Sequence, residues 1–480
     1  MDIIKIRKSD LFDSIIPSED HSIIKSALEK QLSSRNRVIA VLDDDPTGIQ
    51  TVHGINVYMD WSQEILLKAF ENESLFYIQT NSRAMTGQQA EETNRTIMEY
   101  ILYASKATKR DFAVISRSDS TLRGYYPLEP RVLKDTYEKG TGKLIDGEIL
   151  IPFFPEGGRF TANDIHYVQE GEYLVGAGDT EFAKDKAFGY KNSNLRLYIE
   201  EKNNGAYKKE DVASIPLELI RKNDIEAIEK IFNGVSGFGK VVVNALTYED
   251  LETFVLGLLK AEEKGKHFIF RTAAAFVKVY GGISNRSLLG HEDFKGAAGN
   301  NPGMVIVGSH VNKTTLQLNE LLKLENVVPV EVNVKNLLLD NEMENEIKSA
   351  VIKTENEFKK GNIPVLHTSR ELITSNENTR ESNLKISVRV SEALTDIVAR
   401  LAIKPSFIIS KGGITSSYIA VKGLGIIKAK VLGQILPGIP VIMSDTQKKW
   451  PDTPYIIFPG NVGDEFALRK AVEIITGAGV

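Results

Sequence analysis

Cysteine is absent from this chain of 480 residues. That one absence excludes disulfides, zinc–thiolate centres, iron–sulfur clusters and a thiol nucleophile, and it fits a reducing compartment. Histidine is scarce as well. The seven present show no metal-ligand spacing, so no protein metal ligand is assigned, and His53 and His310, beside candidate loops, read as polar contacts. No apolar run approaches the length of a membrane span, and the start, Met1-Asp2-Ile3-Ile4-Lys5-Ile6-Arg7-Lys8, does not open a secretory signal. The expectation is therefore a cytoplasmic protein without a membrane partner. A basic surplus is missing too: 59 Lys and Arg stand against 64 Asp and Glu, a net charge of −5. Nucleic acid, which calls for a clustered basic surface, is not expected as a partner. Repeats, low-complexity tracts and heptads are also lacking.

What is present is a globular composition, 42% hydrophobic and 26% charged, in a chain too long for one ordinary core. Pro17-Ser18-Glu19-Asp20 leads into an amphipathic helix ending near Ser34, within an N-terminal extension of about residues 1–35. Apolar, β-branched runs then recur at Val38–Leu42, Leu75–Ile78, Phe112–Ile115, Ile149–Phe153, Val241–Val243 and Phe268–Phe270. Helical patterns such as Gln88–Ala104 and Leu217–Phe232 lie between them. The rhythm dissolves in a Gly- and Asn-rich stretch, 286–302, and restarts with Met304–Val307, Val328–Val332, Ile363–Leu366, Phe407–Ile409, Val441–Met443 and Tyr455–Phe458. This alternation predicts two α/β domains with largely parallel sheets, 1–285 and 303–480, and an interdomain cleft for ligands.

Two segments of the first half carry acid and arginine chemistry. Asp43-Asp44-Asp45-Pro46-Thr47-Gly48 follows a buried strand directly, at the edge where open α/β sheets bind ligands. Three adjacent carboxylates repel one another unless a cation or a hydroxyl-rich ligand compensates; otherwise the turn is a solvated acidic helix cap. Arg117-Ser118-Asp119-Ser120-Thr121-Leu122-Arg123-Gly124 also lies just past a strand. Its hydroxyls, carboxylate and guanidinium groups suit a polyhydroxy acid, with Arg123 for the acid group and Asp119 and Ser120 for hydroxyls.

Glycine turns dominate the second half. Ser410-Lys411-Gly412-Gly413-Ile414-Thr415 joins a buried strand to a helix start, a pattern that cradles phosphate because backbone N–H groups can approach the anion closely. Gly308-Ser309-His310 and Pro459-Gly460-Asn461-Val462-Gly463-Asp464 also follow strands, so the three turns converge on one sheet edge. Gly234-Val235-Ser236-Gly237-Phe238-Gly239-Lys240 only mimics a P-loop: Val241 stands where Ser or Thr must hold magnesium, and a strand follows it instead of preceding it.

Taken in order, these segments resemble the four-carbon acid sugar kinase family, which contains threonate, erythronate and 3-oxo-tetronate kinases. The anchors are Asp44-Asp45-Pro46-Thr47-Gly48, Thr80-Asn81-Ser82-Arg83, Asp119 to Gly124, Phe154-Pro155-Glu156-Gly157-Gly158-Arg159 and Arg271-Thr272-Ala273-Ala274-Ala275-Phe276. Gly308-Ser309, Gly412-Gly413-Ile414-Thr415 and Pro459-Gly460-Asn461-Val462-Gly463 complete the set. The resemblance implies an N-terminal sugar-acid domain and a C-terminal domain binding ATP. It places Ser309, Gly412, Gly413, Ile414, Thr415 and Gly460 on the nucleotide, with Asn461 in the same loop as Gly460. It also implies transfer of the γ-phosphoryl group to a terminal hydroxyl, that on C4. The chain departs from the family at Pro46, where members carry Leu, and at Ile49-Gln50-Thr51, where a carboxylate often follows the glycine.

The expected reaction asks mainly for positioning and charge neutralisation, with Mg²⁺ bridging phosphate oxygens. Arg123, supported by Arg83, is expected to clamp the substrate carboxylate, with Thr47, Gly48, Ser120 and Arg271 as further substrate-binding residues. Asp44, Asp45 and Asp119 are the candidates for holding and deprotonating the attacking hydroxyl, and the sequence does not choose among them. A nicotinamide-dependent sugar-acid dehydrogenase would need a G-x-G-x-x-G turn that no strand here carries. A non-catalytic sugar-acid-binding regulator would need neither the clustered acids nor the glycine-turn domain. A homo-oligomer is compatible with the sequence.

Overall fold

The apolar runs of the first half become strands that are buried along nearly their whole length, as in Arg37–Asp43, where every position after the first is buried. Burial on both faces is the mark of a parallel strand covered by helices. The computed structural model describes residues 3–296, 301–308, 311–370, 380–444, 446, 448–460 and 462–478, without the side chains of 380–384. The chain divides into two compact units, residues 1–48 with 61–284, and residues 49–60 with 285–480.

In the first unit the strands lie in the order Ala213–Ile215, Gly239–Val243, Gly147–Ile151, Phe268–Thr272, Asp111–Arg117, Arg37–Asp43 and Leu75–Gln79. Every neighbouring pair is parallel, so all carboxyl ends open on one edge. The helix expected from Gln88 runs over Gly87–Thr108, started by a Thr86/Gln89 capping box. The pattern Leu217–Phe232 splits into Leu217–Arg221 and Ile225–Gly234. Asn223 takes a left-handed φ of 51° there, and the Asp224 side chain restarts the helix by accepting Ala227 N. Helix Ser22–Ser33 packs on Tyr248–Glu263 of its own unit, with His21 Nε2 and Glu252 Oε2 at 2.7 Å.

A second, four-stranded sheet is absent from the sequence-based reading. Its strands, Lys5–Arg7, Tyr173–Gly176, Ile165–Glu170 and Arg159–Ala162, are antiparallel throughout.

The second unit carries the order Asn56–Tyr58, Lys428–Leu436, Ile439–Met443, Tyr455–Phe458, Ile408–Lys411, Met304–Val307, Ile363–Thr368 and Val327–Val332. Pairs from Tyr455–Phe458 onward are parallel, and those before it antiparallel. Its core gathers Val305, Ile409, Ile456, Phe458 and Leu468. The stretch expected as a linker, 286–302, contributes to this core where it is described: Leu289 and Phe294 are both buried in it. Residues 49–60, which a linear division at 285 leaves in the first half, belong to this unit. Gln50 donates from its buried side chain to the Gly438 carbonyl at 3.1 Å, so the residues that depart from the family after Gly48 serve packing here. Among the described residues no helix is long and apolar enough to cross a membrane.

Candidate active site

Four adjacent strand ends of the first unit, Phe268–Thr272, Asp111–Arg117, Arg37–Asp43 and Leu75–Gln79, deliver charged side chains to one place. Asp43 ends its strand fully buried, with Oδ1 2.8 Å from Arg117 Nη1. Asp44 receives Ser118 Oγ on Oδ2 at 2.5 Å, and its Oδ1 lies 3.3 Å from Arg83 Nε. Asp45 pairs with Arg83 Nη2 at 2.8 Å and accepts both the backbone N–H and the hydroxyl of Thr47. Asp119 takes Arg123 Nε at 2.6 Å and stands 3.9 Å from Arg83 Nη1. Arg271 bridges Ser116 Oγ at 2.8 Å and Glu129 Oε2 at 2.5 Å, and Glu129 also accepts Ser82 Oγ.

The structure thus brings Asp44, Asp45, Asp119, Thr47, Gly48, Arg83, Arg123 and Arg271 into one connected cluster. Two glycines permit its density. A Cβ on Gly48 would lie 2.0 Å from Asp43 Oδ2; on Gly124, at φ +118°, it would lie 2.8 Å from both Arg271 Nη2 and Ser118 Oγ. Sequence reasoning missed Asp43, Arg117 and Glu129 as members. Asp43 and Arg117 stand in the acidic and arginine segments without a role of their own, and Glu129 is visible only once the helix Leu128–Thr141 is placed.

The carboxyls titrate differently, which separates candidates the sequence leaves equal. Burial pushes Asp43 up to about 7, against the pull of Arg117 and with the charges of Asp44 and Asp45 adding to it. Burial also raises Asp44, where Arg83 and Arg117 oppose it and Glu129 reinforces it. At Asp45 burial acts upward but Arg83 and the Thr47 hydrogen bonds outweigh it, holding the group below its ordinary value. At Asp119 burial is likewise overcome, by Arg123, Arg83 and Thr121, and the carboxyl sits far below the ordinary range. Asp119 is a fixed anion. Asp44 is the one of the three candidates whose protonated form the site favours.

The loop from Ser118 to Gly124 is held by its carbonyls. His166 Nε2 reaches Ser120 O at 2.7 Å, Tyr190 OH donates to Thr121 O at 2.7 Å, and Tyr198 OH donates to Leu122 O at 3.0 Å. Leu122 itself has φ +66°, a strained conformation for a branched residue that this threefold clamp sustains. Burial lowers His166 to about 4, which keeps it neutral, with Nε2 as donor and Nδ1 facing Thr161 Oγ1 at 2.9 Å. Ser120 is buried in this loop.

In the second unit the turns after Met304–Val307, Ile408–Lys411 and Tyr455–Phe458 lie on three neighbouring parallel strands. Gly412 has φ +116°, and its N–H donates to Phe458 O at 3.0 Å. A Cβ on Gly308 would meet Thr415 Oγ1 at 2.2 Å, so the first and second turns touch only because Gly308 has none. The helix from Gly413 is short, ending at Tyr418, and opens into a wide turn over Ile419–Gly423. Ile414 lies in its first turn, Thr415 is buried, and Gly460 is partly exposed. Ser309 and Asn461 lie outside the described residues. Lys411, unremarked in the sequence as a charge, is fully buried at the strand end. Its Nζ donates to Pro459 O at 3.0 Å above the Phe458 ring, and no described carboxylate pairs with it. Burial, aided by Lys313, lowers it to about 7. The P-loop mimic is structural: Lys240 is buried against Glu148 Oε2 at 2.7 Å.

Two family models match the chain in succession, and the first of them includes residues 49–60, which pack in the second unit. A family described as a sugar-binding N-terminal domain matches residues 39–280, and one described as a nucleotide-binding C-terminal domain matches residues 304–468. No curated protein matches the chain. Among solved structures, a Salmonella typhimurium LT2 protein described as a "putative tRNA synthase" aligns at 16% identity with a TM-score of 0.63, over 90% of this chain and 98% of that one. A Haemophilus influenzae protein of the DUF1537 family aligns at 16% identity with a TM-score of 0.57, over 91% and 100%. These two likenesses establish the α/β fold.

Proposed function

The chain belongs to the four-carbon acid sugar kinase family, and from that premise we propose that it transfers the γ-phosphoryl group of ATP to a hydroxyl, that on C4, of a four-carbon sugar acid such as threonate, erythronate or 3-oxo-tetronate. The observation that carries the reading is the contrast within the acidic cluster. Asp44 is raised by burial while Asp119 and Asp45 are locked as anions by arginines. A general base works best with a pKa near the operating pH, and of the three candidates Asp44 is the one moved in that direction. Its neighbour Asp43 is raised too, but it is fully buried against Arg117 and serves to anchor the turn. In the reaction, Asp44 takes the proton of the attacking hydroxyl. The freed oxygen bonds to the γ-phosphorus, the bond to the β–γ bridging oxygen breaks, and ADP departs with that electron pair.

Asp45 and Asp119 hold Arg83 and Arg123 in place beside the substrate hydroxyls. Gly308, Gly412 and Gly413 leave backbone room for the phosphates, with Lys411 supplying positive charge beneath them. Mg²⁺ would supply charge neutralisation on the phosphates. The described residues contain no cluster of three acidic or histidine ligands. Mg²⁺ is commonly held by substrate phosphates and water together with one or two carboxylates. The test is ADP release from MgATP with a panel of four-carbon sugar acids, with ³¹P spectroscopy of the product to read the position phosphorylated. Acids that shift the melting temperature without any ADP release would sink the kinase reading and leave a binding protein.

A further inference from the structure

The arginines around the acidic cluster do not share one status. Arg83 is tied to Asp44 and Asp45, Arg117 to Asp43, Arg123 to Asp119 and Arg271 to Glu129. Arg159 is tied to nothing: among the described residues its guanidinium has no ion pair and no hydrogen bond, and its buried Nε has no partner. It opens the strand Arg159–Ala162, where its backbone pairs with Phe154, and it keeps a partial opening to solvent. Its guanidinium carbon lies 5.6 Å from the Phe182 ring centre, and that of Arg123 lies 5.0 Å from the same ring. Nε of Arg123 is spent on Asp119, and among the described residues its terminal nitrogens hold only a 4.0 Å contact with Asp185. Two guanidinium groups therefore share one aromatic ring with, among the described residues, a single close carboxylate between them.

An enclosed cation without an anion is strongly unfavourable, and a fold keeps one only where something offsets the cost. Arg83, by contrast, already has three carboxylates, those of Asp44, Asp45 and Asp119, within 4 Å of its guanidinium. We propose that Arg159, with Arg123 beside it, is the seat of the substrate's carboxylate, an inference that rests on the sugar-acid reading above. The paired donors of the Arg159 fork match the two carboxylate oxygens, and the Phe182 ring backs both guanidinium planes. A neutral polyol of the same length lacks the group this seat requires, so Arg159 is the residue by which an acid is told from an alditol. Burial lowers the Arg159 pKa, with Asp119 opposing it and Arg123 adding to it.

The test compares wild type with Arg159→Gln, using threonate and erythronate as acids and threitol and erythritol as neutral probes. Thermal stabilisation and kcat/KM are measured for each, and MgATP-induced stabilisation is recorded alongside. Wild type should prefer acids, and Arg159→Gln should lose roughly a hundredfold of that preference, the scale of removing one partner of a desolvated charge pair. Its response to MgATP should be unchanged. Without ligand, the variant should melt no lower than wild type, because it loses an unpaired charge; an arginine that merely supports the fold would lower it. Should Arg159→Gln fail to fold, Arg159→Lys keeps the charge without the fork and should still lose at least about tenfold in acid preference. A variant that retains the wild-type ratio of acid to alditol overturns the inference and leaves the kinase reading standing. A wild type that is neither stabilised by nor active on any of the acids overturns both.

Discussion

The acidic cluster of the first unit and the glycine turns of the second solve opposite recognition problems. In the first, side chains do the work, and each charge but one is fixed by an opposite charge at 2.5–3.3 Å. In the second, the backbone does it: Gly308 and Gly412 clear space, and the described residues place one buried lysine near the turns. A sugar acid presents hydroxyls and a carboxylate in a particular array, which needs fixed side-chain partners. A triphosphate presents many equivalent oxygens, which N–H groups satisfy without naming any one of them. The first region should therefore respond to loss of charge, the second to loss of space.

The largest expected effect breaks the cluster at its base. Asp44→Asn should lower kcat at least about a hundredfold with melting temperature unchanged or higher, since it removes a buried like charge. Asp119→Asn should do the reverse and cost about 3 kcal/mol of stability, because Arg123 and Arg83 lose their shared anion. Denaturant melts and turnover on both variants decide this; equal kinetic losses would erase the distinction between base and anchor. Next, Gly412→Val forces a branched residue to φ +116° and should weaken ATP at least about tenfold while threonate-induced stabilisation stays as it was. Calorimetry with each ligand reads the two separately.

A smaller effect tests the one charge on the nucleotide side. Lys411 has its pKa depressed to about 7, so it is protonated below that value and largely neutral above it. An anionic ligand favours the protonated form. ATP affinity should thus fall about three- to tenfold between pH 6.5 and 8.5, and ATP binding at pH 8 should take up protons. Lys411→Met should show neither difference. Without ligand, the fold opposes the charged lysine, so wild-type stability relative to Lys411→Met should rise as pH goes from 7 toward 10. The smallest effect concerns the clamp on the 118–124 loop. His166 is lowered from 6.5 to about 4, so the native state resists its protonation. Its contribution is intact above pH 6.5 and declines as pH falls toward 4, by up to about 3 kcal/mol. Urea melts of wild type and His166→Gln at pH 7 and 4.5 should show the wild type losing more. Parallel losses would mean that His166 titrates normally.

How much of this was legible depended on what carries the signal. Fully buried parallel strands announce themselves as unbroken apolar runs, so Met304–Val307 and Tyr455–Phe458 coincide with their sequence patterns. Lys428–Leu436 does not, because alternate positions face solvent and the run Lys-Ala-Lys-Val-Leu-Gly-Gln-Ile-Leu reads as mixed. The antiparallel sheet through Arg159–Ala162 and Tyr173–Gly176 is built of strands too short to show a period. The acids at 43–45 stood out because adjacency is visible in sequence. Which arginine answers which acid was not, since Asp43 and Arg117 are 74 positions apart and Arg271 and Glu129 are 142 apart. An unpaired arginine is the least legible of all, for it is defined by what fails to meet it.

The excursion of residues 49–60 bears on how the molecule can be cut. Asn56–Tyr58 pairs antiparallel with Lys428–Leu436, and Gly54 N donates to Val431 O at 2.7 Å. A C-terminal fragment starting at 285 would lack that strand and leave a nine-residue edge, half of it apolar, without its partner. Bare edges of this kind recruit other chains. Such a fragment should aggregate on expression, whereas one that carries residues 49–60 on a flexible tether at its amino end should stay monodisperse. Truncation at the apparent sequence boundary would then be misread as proof that the nucleotide half cannot fold by itself.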